Sequence, residues 1–360
     1  MSDISNKKEE ILIVTVKERF YEEKLKEMIS LVENLQALVI LTITMHKDLV
    51  SHSQYIGKGK LEEVRKACLD NDIKTVVINA NISPAQKREL EESLQLKVLD
   101  RTEIILAIFA SRALTKEAQL QVEVAQMHYL MPRLTGMWQH LSRQQGGIGT
   151  RGVGEKQIEI DRRQIKKKMS RLKDELEDVK KSRAVQRKLR GKSTVPSVAL
   201  VGYTNSGKSS LFNYFNGKSV LAKDQLFATL DTITKKVVTP EFAFYLVDTV
   251  GFITDLPHFL IDAFKATLEE VLICDVLLHI IDASNANYPA QIMAVNEVLT
   301  ELGIAKKPII NVYNKIDLLN SPLEIPDAGI QISVKNGTNI DKLMLSIKAR
   351  LEETKKNELS

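Results

Sequence analysis

One run of residues combines glycines, a lysine and a serine at a spacing that suits phosphate binding. It reads Gly-Tyr-Thr-Asn-Ser-Gly-Lys-Ser, follows the apolar segment Val198–Val201 and precedes helix-forming residues. A strand–loop–helix of this kind directs backbone N–H groups and the helix N-terminus at phosphate oxygens. We expect Lys208 to reach the β- and γ-phosphates of a nucleotide and Ser209 to bind Mg²⁺. The predicted loop contacts are Gly202, Tyr203, Thr204, Asn205, Ser206, Gly207, Lys208 and Ser209.

Three further motifs follow in order, each at the carboxyl end of an apolar segment. Asp248-Thr249-Val250-Gly251 ends one segment; there an aspartate can reach Mg²⁺ through water, and the glycine N–H can meet a γ-phosphate. Asn314-Lys315-Ile316-Asp317 ends another, and its aspartate can accept from N1 and N2 of guanine, a donor pair that adenine lacks. Ser333-Val334-Lys335 follows the last segment and can close over the base. Together the four motifs predict a GTPase domain.

Alternating strand-like and helix-like segments supply the elements that must position these motifs. The alternation covers the first hundred residues and resumes from about Pro196 to Leu351. It predicts an α/β protein with a small parallel N-terminal domain over 1–101 and a doubly wound P-loop domain over 196–355. Between them, Thr102–Met131 and Ile158–Arg190 each predict one long helix. We expect an antiparallel helical hairpin over 102–192, with a glycine-rich loop at 132–155.

The charge of the chain is concentrated in this central segment. The net charge is +5, yet residues 131–192 hold 18 Lys/Arg against 7 Asp/Glu, and the remainder holds 33 against 39. A basic block of this kind favours nucleic acid or another polyanion as partner; a solvated helical face is the alternative. Only 5% of residues are aromatic, which favours contacts to RNA backbone over base stacking. Trp138 could stack on a base or anchor the hairpin core.

Composition excludes several other classes of protein. With 44% hydrophobic and 27% charged residues, the chain has enough apolar surface to fold, unlike a disordered one. No apolar run approaches the roughly 18 residues of a membrane span, and the N-terminus does not resemble a signal peptide. Cys68 and Cys274 show no metal-ligand spacing and are expected to be buried thiols. We expect a cytoplasmic, monomeric protein without an integral membrane segment.

Taken together, the motifs resemble the HflX family of the Obg–HflX group of translational GTPases. Phe227-Ala228-Thr229-Leu230-Asp231 resembles the family's switch I, and Asp248–Ile253 its switch II. Gly146–Glu155 with Ile158–Arg163 resembles the family's glycine-rich signature, so the likeness runs from about Leu12 to Leu351. The resemblance implies that Thr229 completes the Mg²⁺ shell beside Ser209, with Thr232 and Thr234 as alternatives.

The same resemblance implies a partner and a role. Proteins of this kind bind GTP and GDP, dock on the large (50S) ribosomal subunit and its RNA, and dissociate stalled or hibernating ribosomes under stress. Ribosome binding would also bring a fraction of the protein to membranes. Two alternatives are an RNA-remodelling nucleotidase that uses GTP and ATP, and a GTP-controlled switch for a protein partner. The residues expected to contact RNA are Gly146, Gly147, Gly149, Arg151, Gly152, Gly154, Arg162 and Arg163.

The chain departs from related patterns at three places. Phe252 follows the Asp-x-x-Gly motif where Ras-like enzymes place a water-orienting glutamine, so we expect slow hydrolysis that ribosomes stimulate. Our hypothesis is that a K⁺ ion held by Asn205 supplies the positive charge that an arginine finger would give. The alternative is that Asn205 only suits a tight turn of the backbone. The family's Asp-Pro-Thr-Thr-Arg reads Asp-Thr-Ile-Thr-Lys from Asp231, and about nine residues follow Leu351, so we expect no further C-terminal domain.

Overall fold

Short runs of β-branched and aliphatic residues build a parallel sheet in the first of two units, Met1–Ser111 with Val122–Glu175. The computed structural model describes residues 8–51, 54–134, 151–190, 195–217, 226–304, 307–321, 324–325 and 329–359. In the first unit the strands are β1 (Glu10–Lys17), β2 (Leu38–His46), β3 (Val50–Ser51), β4 (Tyr55–Ile56), β5 (Thr75–Ile78) and β6 (Lys97–Asp100). The four-stranded sheet has the order β2-β1-β5-β6, while β3 and β4 form a separate antiparallel pair.

Helices α1 (Tyr21–Asn34), α2 (Lys58–Asp70) and α3 (Pro84–Leu94) belong to the same unit. The start of α3 shows why the chain turns helical there. Ser83 Oγ accepts from Gln86 N, and the Gln86 side chain accepts from Ser83 N, while Pro84 occupies the first helical position. This reciprocal cap satisfies two N–H groups that a helix start otherwise leaves unpaired.

The described part of the central segment contains three helices: α4 (Arg101–Arg112), α5 (Lys116–Leu130) and α6 (Arg151–Arg190). The prediction of one helix over Thr102–Met131 is therefore wrong. The helix breaks at residues 113–115, where Thr115 Oγ1 accepts from Ala118 N at 3.2 Å and caps α5. Within the first unit Lys168 of α6 forms an ion pair with Glu123 of α5.

Helix α6 also begins earlier than the sequence indicated. It includes Arg151, Gly152 and Gly154, for which the glycine-rich pattern predicts a loop that ends at residue 155. Good helix formers at residues 155–157 offset the cost of the two glycines, which is about 1 kcal/mol each relative to alanine. Gly146, Gly147, Gly149 and Trp138 lie outside the described residues.

The second unit, Arg112–Gln121 with Leu176–Ser360, contains the larger sheet. Its strands are β7 (Ser197–Gly202), β8 (Ile233–Val238), β9 (Ala243–Asp248), β10 (Val276–Asp282), β11 (Ile309–Asn314) and β12 (Ile330–Gln331). Its further helices are α7 (Lys208–Phe215), α8 (His258–Ile273), α9 (Tyr288–Glu301) and α10 (Ile340–Leu359). The order is β12-β11-β10-β7-β9-β8, parallel except for the antiparallel edge strand β8, which the sequence analysis missed.

This sheet brings the four motifs to one edge. Strand β7 lies between β10 and β9, and all three run in the same direction. Because the carboxyl ends of parallel strands meet at one edge of a sheet, the loops after β7, β9, β11 and β12 converge there. Ligands of doubly wound folds bind at such an edge.

Candidate functional site

The loop between β7 and α7 approaches its neighbours closely. Gly202 has a φ of 149°, and a Cβ at this position would stand 2.3 Å from the carbonyl oxygen of Ile280 in β10, so only glycine fits. Thr204 N donates to Phe252 O at 2.7 Å, and Phe252 N donates to Gly202 O at 3.1 Å. These two bonds fasten the phosphate loop to the segment that follows β9.

Lys208, the first residue of α7, is buried within this loop. Its Nζ donates to the carbonyl oxygens of Gly202 at 3.0 Å and Tyr203 at 2.7 Å. Burial lowers the pKa of Lys208 to about 8, and the charge of Asp248 opposes that shift. Phosphate oxygens beside Nζ would favour the charged form, so the lysine suits an anionic ligand.

Three oxygens from three different motifs converge next to Lys208. Ser209 Oγ lies 2.7 Å from Thr229 Oγ1 and 2.8 Å from Asp248 Oδ2, and Thr229 Oγ1 lies 2.9 Å from the same carboxylate oxygen. The structure thus places Thr229 beside Ser209, whereas Thr234 lies in the edge strand β8. Hard oxygen donors of this kind, with few carboxylates, suit Mg²⁺ held together with nucleotide phosphates.

Buried polar atoms show that the site fits a further polar group. Asp248 Oδ1, Thr204 Oγ1 and Ser206 Oγ are buried without a hydrogen-bond partner among the described residues. Burial raises the pKa of Asp248, although Ser209, Lys208 and Thr229 act against the shift. Buried polar atoms are rarely left unsatisfied, because each costs roughly 1–3 kcal/mol. A hydrated Mg²⁺ and phosphate oxygens would satisfy all three.

Two side chains join the phosphate loop to the loops after β11 and β12. Asn314 Nδ2 donates to Ser206 O at 2.9 Å, and Asn314 Oδ1 accepts from Val334 N at 3.2 Å. Ser333 Oγ donates to Asp317 Oδ1 at 2.6 Å. Ser333 thereby orients the Asp317 carboxylate, whose second oxygen accepts no hydrogen bond from the described residues.

One ion pair at the same edge was not predicted from the sequence. Lys315 Nζ lies 2.8 Å from Asp282 Oδ2 at the end of β10, and Ser284 N and Oγ donate to the other oxygen of Asp282. The signal was present, since an aspartate directly follows the apolar run Val276–Ile281. This pair fixes the Asn-Lys-x-Asp loop against the neighbouring strand.

The remaining predicted residues differ in their surroundings. Thr249 Oγ1 is buried and donates to Leu200 O at 2.6 Å, so its hydroxyl ties β9 to β7. Phe252 is buried, and Asn205 is exposed with a φ of 60°. Buried apolar residues of the switches are Phe227, Leu230 and Val250; Ile316 is half-buried, and Ala228 and Lys335 are exposed.

Asp231 differs most from the prediction, which placed it at the nucleotide. Its Oδ2 accepts from the N–H groups of Leu114 at 3.1 Å and Thr115 at 3.3 Å, and its Oδ1 bonds to the Thr115 hydroxyl. The carboxylate is therefore used at the break between α4 and α5. A carboxylate turned towards phosphates would be repelled by their charge, which explains the difference.

Comparison with known proteins identifies the family to which this chain belongs. Residues 22–110 match a family model described as GTP-binding GTPase N-terminal, and residues 112–190 match the GTP-binding GTPase Middle Region. Residues 197–315 match the model described as 50S ribosome-binding GTPase. The GTPase HflX of Caldanaerobacter subterraneus subsp. tengcongensis is 44% identical over 353 residues, which cover 98% of this chain and 82% of that protein. The chain belongs to the HflX family of GTPases.

Other HflX proteins show the same extent of similarity. The GTPase HflX of Lacrimispora saccharolytica is 45% identical over 92% of this chain and 79% of its own length. That of Escherichia coli is 41% identical over 91% of this chain and 79% of its own length. A solved structure, the complex of SsGBP with GDP, is 26% identical with a TM-score of 0.52, over 96% of this chain and 99% of that one.

These matches confirm the predicted family and α/β fold class of this HflX-family chain, and the prediction that it is a P-loop GTP hydrolase. The GTPase fold implies a nucleotide-associated Mg²⁺. Among the described residues, no helix is both long and apolar enough to cross a bilayer.

Proposed function

We propose that this GTPase docks on the large ribosomal subunit in its GTP-bound form and dissociates stalled or hibernating ribosomes. The observation that carries the proposal is the distribution of charge on α6. Residues 159–173 contain seven basic side chains against two acidic ones, residues 174–178 contain four acidic ones, and residues 180–190 contain six basic ones and no acidic one. Arg162 and Arg163 are exposed, while Met169 and Leu172 on another face are buried.

This grouping of like charges along α6 supports an RNA partner over a merely solvated helix. A helix that only faces water has no need to separate its charges along the axis, whereas phosphate neutralisation favours a block of one sign. The match of residues 197–315 to a family described as 50S ribosome-binding supports the large subunit as the source of that RNA. We keep Gly146, Gly147, Gly149, Arg151, Gly152, Gly154, Arg162 and Arg163 as the proposed contacts.

At the nucleotide, we propose that Ser209 and Thr229 hold Mg²⁺ directly and that Asp248 holds it through water. The ion supplies positive charge to the β- and γ-phosphate oxygens. Lys208 contacts the same phosphates, and Asp317 accepts the two guanine N–H groups. In hydrolysis the oxygen of water bonds to the γ-phosphorus as the bond to the β–γ bridging oxygen breaks; the water gives up a proton, inorganic phosphate leaves, and the loop retains GDP.

No glutamine is available to orient that water at the position after the Asp-x-x-Gly motif. Phe252 is buried there, and its backbone is committed to the phosphate loop. We therefore propose that the docked subunit completes the site and accelerates hydrolysis. A K⁺ ion at the exposed Asn205 stays a separate prediction, and equal turnover in potassium and sodium chloride would contradict it.

The test compares two charge-reversal pairs in GTP turnover with and without isolated large subunits. Arg162→Glu/Arg163→Glu changes the first basic block of α6, and Lys355→Glu/Lys356→Glu makes the same change on exposed neighbours in α10. We expect the first pair to lose tenfold or more of the subunit stimulation at about 0.1 M salt, because phosphate contacts are lost. The second pair should retain it.

Basal turnover provides the control for folding. It should be equal in the wild type and both variants, because neither pair lies at the nucleotide. Equal loss of stimulation in both pairs would show a general charge effect, and full stimulation of the α6 pair would refute α6 as the docking surface. ATP turnover that persists in a Lys208→Ala variant would instead support the RNA-remodelling alternative.

A further inference from the structure

The carboxylate of Asp231 caps the start of α5 from outside the helix, by binding the two residues that precede its first turn. Helix α5 starts at Lys116, and the backbone N–H groups of Leu114 and Thr115 both donate to Asp231 Oδ2, at 3.1 and 3.3 Å. Thr115, whose hydroxyl bonds to Asp231 Oδ1, also accepts from Ala118 N. All these residues lie in the second unit. A negative charge at a helix N-terminus is favourable both as an acceptor and towards the helix dipole.

Two anchors on either side hold Asp231 in this position. Thr229, two residues before it, bonds to Ser209 and Asp248 at the proposed Mg²⁺ site. Ile233, two residues after it, opposes Asp248 in the pairing of β8 with β9. Asp248 therefore takes part in both anchors. The second anchor is a strand pairing, whereas the first consists of side-chain oxygens that a nucleotide and its metal would bring together.

We infer that Asp231 couples the nucleotide-dependent position of the switch segment Phe227–Asp231 to the start of helix α5. The inference rests on the proposed Mg²⁺ role of Thr229. Two residues of extended chain span at most about 7 Å, so Asp231 cannot keep bonds of 3.1–3.3 Å if Thr229 moves away by several ångströms. Loss of the γ-phosphate thus releases the cap of α5.

The capped helix carries this change beyond the nucleotide. Residues 112–121 belong to the second unit, but α5 continues without a break to Leu130, and its residues from Val122 belong to the first unit. Coupling of this kind is reciprocal, because two linked binding events change each other's free energy equally. Weakening the cap must therefore weaken binding of GTP but not of GDP.

Hydrogen exchange measures the cap directly. In the wild type we expect the peptide covering residues 113–119 to exchange at least threefold more slowly with Mg²⁺ and a non-hydrolysable GTP analogue than with GDP. In Asp231→Ala the difference between the two nucleotides should disappear. Equal protection in both nucleotide states of the wild type would overturn the inference, since the cap would then be permanent.

Nucleotide affinities provide the reciprocal test. Thr115→Val removes one hydroxyl at nearly constant volume, and we expect a three- to tenfold loss of affinity for the GTP analogue with GDP affinity unchanged. Combined with Asp231→Ala the losses should be less than additive, because both changes remove the bond between the Thr115 hydroxyl and Asp231 Oδ1. Thr300→Val makes the same change at an exposed position in α9 and should leave both affinities unchanged.

The outcomes distinguish the cap from the proposed metal site. If Thr229→Val weakens the GTP analogue but Thr115→Val does not, the metal role stands and the coupling fails. If neither change affects the analogue, the role of Thr229 fails as well. Additive effects of Thr115→Val and Asp231→Ala would also contradict a shared interaction.

Discussion

Asp248 uses its two carboxylate oxygens differently. Oδ2 accepts from the hydroxyls of Ser209 and Thr229 at 2.8 and 2.9 Å, while Oδ1 is buried with no partner among the described residues. An oxygen left unsatisfied beside two metal-type hydroxyls is best explained by a hydrated cation. The sequence motif predicted the aspartate and the serine, but three threonines competed for the third position. Geometry favours Thr229.

The choice among the threonines can be tested by isosteric replacement. Thr229→Val removes the hydroxyl beside Ser209, and we expect GTP turnover to fall roughly 10–100-fold with a raised Mg²⁺ requirement. Thr234→Val is the control, since Thr234 lies in β8, and it should retain turnover within about twofold. The measurement is steady-state hydrolysis against Mg²⁺ concentration. A larger loss in Thr234→Val than in Thr229→Val would reverse the choice.

Base selectivity is the second residue-scale feature. Asp317 is oriented by the 2.6 Å bond from Ser333 Oγ, which leaves Oδ2 and the second lone pair of Oδ1 for the two guanine N–H groups. We expect Asp317→Asn to lower GTP affinity at least about 100-fold, because two hydrogen bonds to a charged acceptor are lost. Xanthosine triphosphate has a carbonyl in place of the 2-amino group, so its affinity should rise instead.

Competition binding with the two triphosphates measures this exchange of preference. Asp70→Asn makes the same charge change at an exposed position in α2 and should alter neither affinity. Loss of both triphosphates would indicate that Asp317 supports the loop rather than reading the base.

At the scale of elements, the close contact of β7 with β10 holds the phosphate loop. A Cβ at Gly202 would lie 2.3 Å from a backbone oxygen, which cannot move without displacing a central strand. We expect Gly202→Ala to destabilise the protein by about 2–4 kcal/mol, from overpacking and backbone strain. Gly303→Ala also has a positive φ, of 74°, but meets nothing within 4 Å, so it should cost only about 1 kcal/mol.

Urea unfolding followed by far-ultraviolet circular dichroism would measure the free energy of unfolding of both variants. A Gly202→Ala variant as stable as Gly303→Ala would show that β7 and β10 separate easily. Residual nucleotide binding by Gly202→Ala under native conditions would report how far the loop depends on this contact.

The elements also show how much structure the sequence could predict. The parallel strands and the four motifs at their ends depend on local patterns, and the strands appear where those patterns lie. The break between α4 and α5 does not follow from a local pattern, because residues 113–115 are themselves compatible with a helix. It is stabilised by Asp231, which is 116 residues from Thr115 in the sequence. The edge strand β8 was missed because two lysines, Lys235 and Lys236, interrupt its apolar pattern.

At the scale of the whole molecule, charge and nucleotide chemistry are separated along the chain. The nucleotide motifs all lie at one edge of the larger sheet, whereas the basic residues of α6 fall mainly in two blocks, from Arg162 to Lys173 and from Lys180 to Arg190. The sequence predicted both this basic segment and the single helix over Ile158–Arg190 that carries it; only the start of the helix differs, because the glycines before residue 155 indicated a longer loop. Because this basic helix is distant in sequence from the switches, we expect its charge to act on nucleotide hydrolysis only through a bound partner.

Co-sedimentation with isolated large ribosomal subunits tests the central claim most directly. The protein would be mixed with subunits in the presence of Mg²⁺ and either a non-hydrolysable GTP analogue or GDP, at about 50 and 200 mM salt. We predict strong binding with the analogue at low salt, weak binding with GDP, and a loss of at least tenfold in affinity at the higher salt. Equal binding with both nucleotides, or no binding with the analogue, would contradict a GTP-controlled ribosome factor.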